Sequence, residues 1–350
     1  VAAPDPRVVL TLDAGGTTFV FSAVRGGVPV GEALTLPSRA DDLGACLDAL
    51  QHGFGRLRAQ AGGRADAISF AFPGPADYRS GIIGDLGNLP AFRGGVALGP
   101  MLEERFGVPV FINNDGDLFA YGEALGGLLP EVNAALAEAG SPKRFRNLLG
   151  VTLGTGFGAG LVHDGRLYLG DNGAGAEIWL LRSKLHPGCF AEEGVSIRAV
   201  RGVYADGSGI PFEEAPEPEV IARIAAGEAA GHREAAREAF LRLGEAAGDA
   251  LANAVTLVDA LVVIGGGLSG AAPLFLPALV DEMNGVLRGL SGDQVPRMEV
   301  RAFNLEAPRE LASFLAGEAK TLSVPRSSRT VAYDPLKRVG VGVSRLGTSR

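Results

Sequence analysis

The stretch VVLTLDAGGTTFVFSAV, residues 8–24, decides the fold: an apolar run enters a Gly-Gly-Thr turn and a second apolar run leaves it. About 140 residues later LLGVTLGTGFGAGLVHDG, residues 148–165, repeats the pattern. Glycine has no Cβ, so Gly15, Gly16, Gly154, Gly156 and Gly158 let backbone N–H groups come close to an anion. A single glycine turn is also an ordinary hairpin connection. Two matching ones, each heading half of the chain, predict a duplicated hairpin and a nucleotide held between the halves.

Outward from the first hairpin the sequence alternates strand and helix. Val8–Leu12, Phe19–Val24 and Val28–Leu36 read as a meander. Asp41 is placed to cap a helix whose apolar positions Leu43, Leu47, Leu50, Phe54 and Leu57 share one face. Ala67–Phe72 reads as a buried strand stopped by Pro73-Gly74-Pro75. A helix over Ala97–Phe106 leads to the strand Pro109–Ile112, which runs into Asn113-Asn114-Asp115-Gly116-Asp117. Outward from the second hairpin come a turn at His163-Asp164-Gly165, a short strand Leu167–Leu169 and the loop Gly170–Gly175. A long Ala-rich helix over Arg233–Val258 follows, then the strand Ala260–Ile264. Gly265-Gly266-Gly267-Leu268-Ser269 opens another helix, again an order that suits an anion at a helix N-terminus. An insertion over Glu131–Arg146 reads as a helix and a Ser-Pro turn, without assigned chemistry.

Composition narrows the class. A chain of 350 residues, 47% hydrophobic, exceeds the usual reach of one core and predicts two domains. The net charge of −8 speaks against a nucleic-acid footprint, and the cluster Lys143, Arg144, Arg146 reads as a solvated loop. Two distant cysteines, Cys46 and Cys189, make neither a disulfide framework nor a four-thiolate metal site. No apolar run is long enough for a membrane helix and no leader pattern opens the chain, so a cytoplasmic protein is expected.

In their order, these motifs resemble those of the ROK sugar kinases (repressor, open reading frame, kinase), within the actin, hexokinase and Hsp70 superfamily. Asp13-Ala14-Gly15-Gly16-Thr17 is similar to the family's first phosphate motif, and Gly154-Thr155-Gly156-Phe157-Gly158 to the second. Gly265-Gly266-Gly267 resembles its adenosine motif, and Asn113–Asp117 stands where the family has Glu-Asn-Asp-Ala-Asn. The resemblance implies an α/β chain with the two-lobed actin-like ATPase (ribonuclease H-like) fold, a duplicated mixed sheet with flanking helices. It divides the chain at residues 1–113 and 114–350. It implies a cytoplasmic enzyme using ATP and Mg²⁺ to phosphorylate a hexose hydroxyl, glucose first and most simply at the 6-OH, with a homodimer or homotetramer as the expected assembly.

Chemistry supports the same roles. Phosphoryl transfer to an alcohol needs cations on the phosphate oxygens and a carboxylate to take the hydroxyl proton. Asp115, at the end of a buried strand, is the candidate base and can also serve a helix N-terminus; Asp117 reads as a first-turn charge. Asp13 suits Mg²⁺ held through water, or alternatively a turn-forming Asp. The resemblance assigns sugar contacts to Gly74, Asn88, Asn114, Glu177 and Glu192, the last shifting to Glu193 if the register slips by one. Both glutamates otherwise read as surface charges.

This chain departs from the family pattern where Trp179-Leu180 stand in the Gly-His places and where the cysteine-rich loop reads Lys184-Leu185-His186-Pro187-Gly188-Cys189. One thiolate and one imidazole do not make a tetrahedral site, so no structural zinc is expected, and packing of Trp179, Leu180 and Phe190 is expected to order the loop. Trp179 could stack on a sugar or pack in a core. The family's closing helix is also expected to be missing. Other classes fit the residues less well. A repressor needs a helix-turn-helix ahead of Asp13, where only residues 1–12 stand. A non-catalytic sugar or nucleotide sensor conflicts with the retained Asp115. A kinase for N-acetylhexosamine, fructose or allose, and polyphosphate as donor, remain alternatives to glucose and ATP.

Overall fold

In the computed structural model, which describes residues 5–87 and 89–347, the chain forms two compact units. The first runs to Leu118 and takes back Leu169–Ala174; the second comprises Phe119–Tyr168 and the chain from Gly175 onward.

In the first unit, β1 (Val8–Ala14) alternates buried Val8, Leu10 and Leu12 with more open neighbours, the period of a strand with one face on a core. It pairs antiparallel with β2 (Thr18–Arg25) from Val8↔Arg25 to Ala14↔Phe19, which leaves residues 15–17 as the turn. The expected third strand of the meander is two short strands, β3 (Val28–Pro29) and β4 (Leu34–Pro37), both paired with β2. Gly31, at φ +77°, lies between them and breaks the run.

The helix α1 (Leu43–Gln60) begins one residue later than expected: Asp42, not Asp41, is the N-cap, its Oδ1 accepting from the Ala45 N–H at 3.0 Å. Its buried side chains Cys46, Leu50, Phe54 and Leu57 repeat at helical spacing, and Gly53 lets the backbone settle on the Phe21 ring. Phe21, Phe54 and Phe70 meet ring to ring at 5.2 and 5.7 Å. Burying one such ring is worth about 1.5–3 kcal/mol.

The chain continues through β5 (Ala67–Ala71), the small ribbon of β6 (Ala76–Asp77) and β7 (Ile82–Ile83), α2 (Leu98–Phe106) and β8 (Val110–Asn113). β1, β5 and β8 are parallel neighbours in the order β3-β2-β1-β5-β8, so their C-terminal ends share one edge of the sheet. From β8 the chain enters α3 (Asp115–Gly126), within which the division between units falls.

The second unit restarts the plan. After α4 (Leu128–Glu138), β9 (Leu148–Leu153) pairs antiparallel with β10 (Phe157–His163). β11 (Arg166–Leu167) closes a tight turn whose Asp164 and Gly165 sit at φ +48° and +77°, one residue ahead of the expected strand. Three helices follow, α5 (Ile197–Ser208), α6 (Pro218–Ala226) and α7 (Arg233–Val258). Then come β12 (Leu261–Gly265), a 3-10 turn at Ser269–Ala271 and α8 (Ala272–Met283).

α7 has the bounds the sequence predicts. Its small residues have a packing reason: a Cβ at Gly248 would stand 2.5 Å from the Leu279 carbonyl oxygen of α8, and Gly244 is as crowded by Phe275, so only a bare backbone allows this crossing.

The remainder is the exposed ribbon of β13 (Val286–Arg288) and β14 (Gln294–Pro296), then β15 (Arg301–Asn304) and α9 (Pro308–Ala316). A second exposed ribbon, β16 (Lys320–Ser323) with β17 (Thr330–Tyr333), precedes β18 (Arg338–Val343). The sheet runs β11-β10-β9-β12-β18-β15: the first unit's order with the last strand of the chain slipped between its fourth and outer members. β12 is buried along its whole length between parallel β9 and β18. Among the described residues no helix is long and apolar enough to cross a membrane.

Candidate active site

In the first unit, parallel pairing brings the predicted residues to one sheet edge. Asp13 lies near the end of β1 with an exposed side chain, and Gly15-Gly16-Thr17 turn beyond it, the Gly15 N–H donating to Thr18 O at 3.0 Å. Ser38, fully buried, braces this turn: its Oγ donates to Gly16 O at 2.6 Å and its N–H to Thr17 O at 3.0 Å. Sequence reading passed over Ser38, because a serine after Leu-Pro carries no signal for a partner 22 residues earlier. Gly74 lies in the loop after β5; a Cβ there would meet the Tyr78 hydroxyl at 2.9 Å, and that hydroxyl donates to Phe72 O. Asn88 lies outside the described residues.

The Phe72 N–H donates to Asn113 O, so the loop holding Gly74 leaves the edge beside Asn114 and Asp115. Asn114, rather than Asp115, caps α3: its Oδ1 accepts from the Asp117 N–H at 2.6 Å. Asp115 keeps an exposed side chain, with Oδ1 on the Gly116 N–H at 2.9 Å. Asn114 rather than Asp115 therefore serves as the side-chain cap of the helix that Asp115 begins. Asp117 is buried.

In the second unit the two glycine turns meet. Gly265 pairs with Thr152, the Leu268 N–H donates to Leu153 O at 3.0 Å, and the chain between them, Gly266-Gly267, passes beside Gly154. A Cβ at Gly154 would find nothing nearer than the Gly267 nitrogen, 4.0 Å away, and one at Gly267 would find nothing at all within 4 Å. Open space over a glycine turn is the form of a phosphate cradle; the Gly154 N–H itself donates to Gly156 O at 3.0 Å, and Thr155 stands exposed at the lip. Gly266, at φ +87°, is different: a Cβ would fall 2.5 Å from Leu153 N and closer still to its carbonyl oxygen. The Gly154 carbonyl is held by the Ile197 N–H at 2.8 Å, at the start of α5. These donors fit nucleotide phosphates, and the exposed Asp13 carboxylate fits a cation that keeps its waters.

Glu192 is found beside the second glycine turn, where its Oε2 accepts from the Phe157 N–H at 3.0 Å and would stand 2.8 Å from a Cβ at Gly156. Glu193 is paired with Arg198 at 2.7 Å. Glu177 is exposed, and its carboxylate accepts the Trp179 indole N–H, so the residue in the family's glycine place braces the neighbouring glutamate.

The loop that follows is ordered by Trp179 and Phe190, which meet edge-to-face at 5.6 Å, and by an isolated bridge between Arg182 and Phe190. Leu180, expected to join that packing, is 58% exposed. Lys184 takes its place as an anchor, pairing with Glu282 at 2.7 Å and Glu245 at 3.1 Å. Burial works to lower the Lys184 pKa, but the hydrogen bonds to Glu282 and Glu245 outweigh it and hold the ammonium above the usual lysine range. Glu245 responds in the opposite sense: burial would raise its pKa, and Lys184, then Arg242, pull it below the usual carboxylate range. Among the described residues no group of three or more His, Cys, Asp or Glu could hold a metal ion.

Comparison with known proteins follows the same lines. The crystal structure of a glucokinase from Parabacteroides distasonis is 56% identical and superposes with a TM-score of 0.92 over 98% of this chain and 94% of that one. An N-acetyl-D-glucosamine kinase of Photobacterium profundum is 29% identical over 75% of this chain and 85% of its own. A ROK family glucokinase of Streptomyces griseus, solved with glucose and AMPPNP, shares the fold at 19% identity and a TM-score of 0.57, over 97% and 95% of the two chains. Fold, glycine turns and relatives together define the class, a sugar kinase on the actin-like ATPase fold. The chain belongs to the ROK family, whose model matches residues 9–310.

Proposed function

We propose that the protein transfers the γ-phosphoryl group of ATP to a hydroxyl of a neutral hexose, glucose first and at the 6-position. Asp115 takes the hydroxyl proton as the oxygen attacks phosphorus and ADP leaves. Asp13 would hold Mg²⁺ through water, and a bound ion would supply positive charge to the phosphate oxygens. The N–H groups around Gly15-Gly16-Thr17, Gly154-Thr155-Gly156 and Gly265-Gly266-Gly267 orient the phosphates and adenosine. Gly74, Asn88, Asn114, Glu177 and Glu192 hold the sugar.

One observation carries the reading: a chain 56% identical to a glucokinase keeps an uncapped, solvent-facing carboxylate at Asp115, on the sheet edge that also bears Asp13 and the first glycine turn. The likeness to the Photobacterium profundum enzyme favours a second reading, an N-acetylhexosamine as acceptor. Sugar-dependent ADP release, measured across glucose, N-acetylglucosamine, mannose, fructose and allose with Asp115→Asn as control, separates the two. Highest kcat/KM for glucose supports the first reading, and highest kcat/KM for N-acetylglucosamine replaces it with the second. Release that ignores the sugar defeats both.

A further inference from the structure

Lys143-Arg144-Phe145-Arg146, read from sequence as a solvated loop, lines a cavity of about 350 Å³ in the second unit together with Asn147, His163, Asp164 and Asp259. The loop is fixed at several points. Asn133 of α4 grips Phe145 from both sides, donating from Nδ2 to its carbonyl and accepting its N–H at Oδ1, each at 2.9 Å. The Phe145 ring stacks on Phe314 at 5.6 Å. Arg144 Nη1 donates to Ser141 O and Lys143 O at 2.6 Å each, and Asn147 Oδ1 accepts from the Asp164 N–H at 3.1 Å.

The cations on this fixed backbone are poorly matched by carboxylates. Lys143 and Arg144 have no acidic partner among the described residues; the Lys143 ammonium lies 5.3 Å from the Phe145 ring centroid. Arg146 reaches Asp164 only at 3.5 Å, with both side chains well exposed. Three cations and the His163 imidazole therefore face two carboxylates, in a chain whose net charge is −8. A fixed backbone and an Arg144 guanidinium held by two carbonyls lower the ordering cost of binding, and a guanidinium beside an ammonium suits oxyanion geometry.

We propose that this cavity is a binding site for a small phosphate-bearing anion, separate from the glycine turns. Its volume lies at the small end of ligand pockets. Its position separates it from the nucleotide cradle: Asn147 precedes β9 and Asp259 precedes β12, and those strands end at Leu153, just before Gly154, and at Gly265. A strand of this length puts roughly 20 Å between the two sites. The site therefore lies at the opposite end of the strands that carry the cradle, in a place to sense a metabolite rather than to turn it over.

Calorimetric titration of the full chain with inorganic pyrophosphate, at fixed ionic strength and with AMPPNP saturating, tests this. The expected result is binding that persists beside AMPPNP, weakens about tenfold in Lys143→Gln, and disappears in Lys143→Gln/Arg144→Gln, with AMPPNP affinity unchanged in both. Lys320→Gln, an exposed cation on β16, should leave it intact. Pyrophosphate binding that AMPPNP abolishes, or that survives the double substitution, would overturn the proposal. Lys143→Gln guards against a folding artefact, because that side chain has no acidic partner among the described residues and its ammonium lies over the Phe145 ring.

Discussion

The turn after β1 and the turn after β9 head equivalent hairpins, yet they need glycine for different reasons. In the first, a Cβ at Gly15 would stand 2.9 Å from Thr18 O, the atom to which the Gly15 N–H donates, so the turn's own backbone excludes a side chain. In the second, a Cβ at Gly154 would meet only the Gly267 nitrogen at 4.0 Å. Folding demands the first glycine. The second turn also makes an internal bond, Gly154 N–H to Gly156 O at 3.0 Å, but the space over its glycine stays open, and further support comes from neighbours: Glu192 on the Phe157 N–H, Ile197 on the Gly154 carbonyl, Leu268 on Leu153. Motifs that look alike in sequence thus differ in whether the protein itself fills the space over the glycine.

The largest effect that sharpens this division is on chemistry alone. Asp115→Asn should lower kcat by about 10²- to 10⁴-fold while sugar affinity stays within a factor of a few, as measured by steady-state kinetics and calorimetry. Near-normal turnover would remove Asp115 as base. Next comes Gly266→Ala, where left-handed backbone strain of about 1–3 kcal/mol adds to overpacking against Leu153. Denaturant midpoints should show it costing more than Gly15→Ala, for which overpacking alone predicts about 1–3 kcal/mol. If the order is reversed, left-handed strain and crowding against Leu153 do not govern Gly266.

Smallest is Lys184→Met in the loop beside Glu177, at most about 1 kcal/mol for so exposed a pair. Its pH dependence has a definite sign. Glu245 is depressed by Lys184, so the stabilisation is present above the ordinary carboxylate pKa and is lost as pH falls through the depressed value. The variant should be less sensitive to acid than the parent over that window, and equal sensitivity would show that the pair anchors nothing.

Much of this was legible in the residues. The paired hairpins and the 26-residue α7 declare themselves by strong periodicity, and the four motifs stand in family order. Choices between near-equivalents were not legible. Asp41 and Asp42 are equally good caps on paper, and only the register of α1 selects Asp42. Asn114 and Asp115 pose the same choice at α3, and the cap falls to the Asn114 carboxamide rather than to the Asp115 carboxylate. Gly31, inside an apparent strand, was the overlooked mark of the break between β3 and β4. Contacts across long separations left no trace in composition: Ser38 beneath Gly16 and Lys184 against Glu282.

The central claim is that the space over Gly154 is kept for phosphate. It is tested most directly by Gly154→Ala, measured for AMPPNP affinity by calorimetry and for stability by thermal melting. The account predicts an unchanged melting temperature, because a Cβ there meets no protein atom closely, together with AMPPNP binding weakened by at least about tenfold. Parental AMPPNP affinity in a normally folded variant would contradict it.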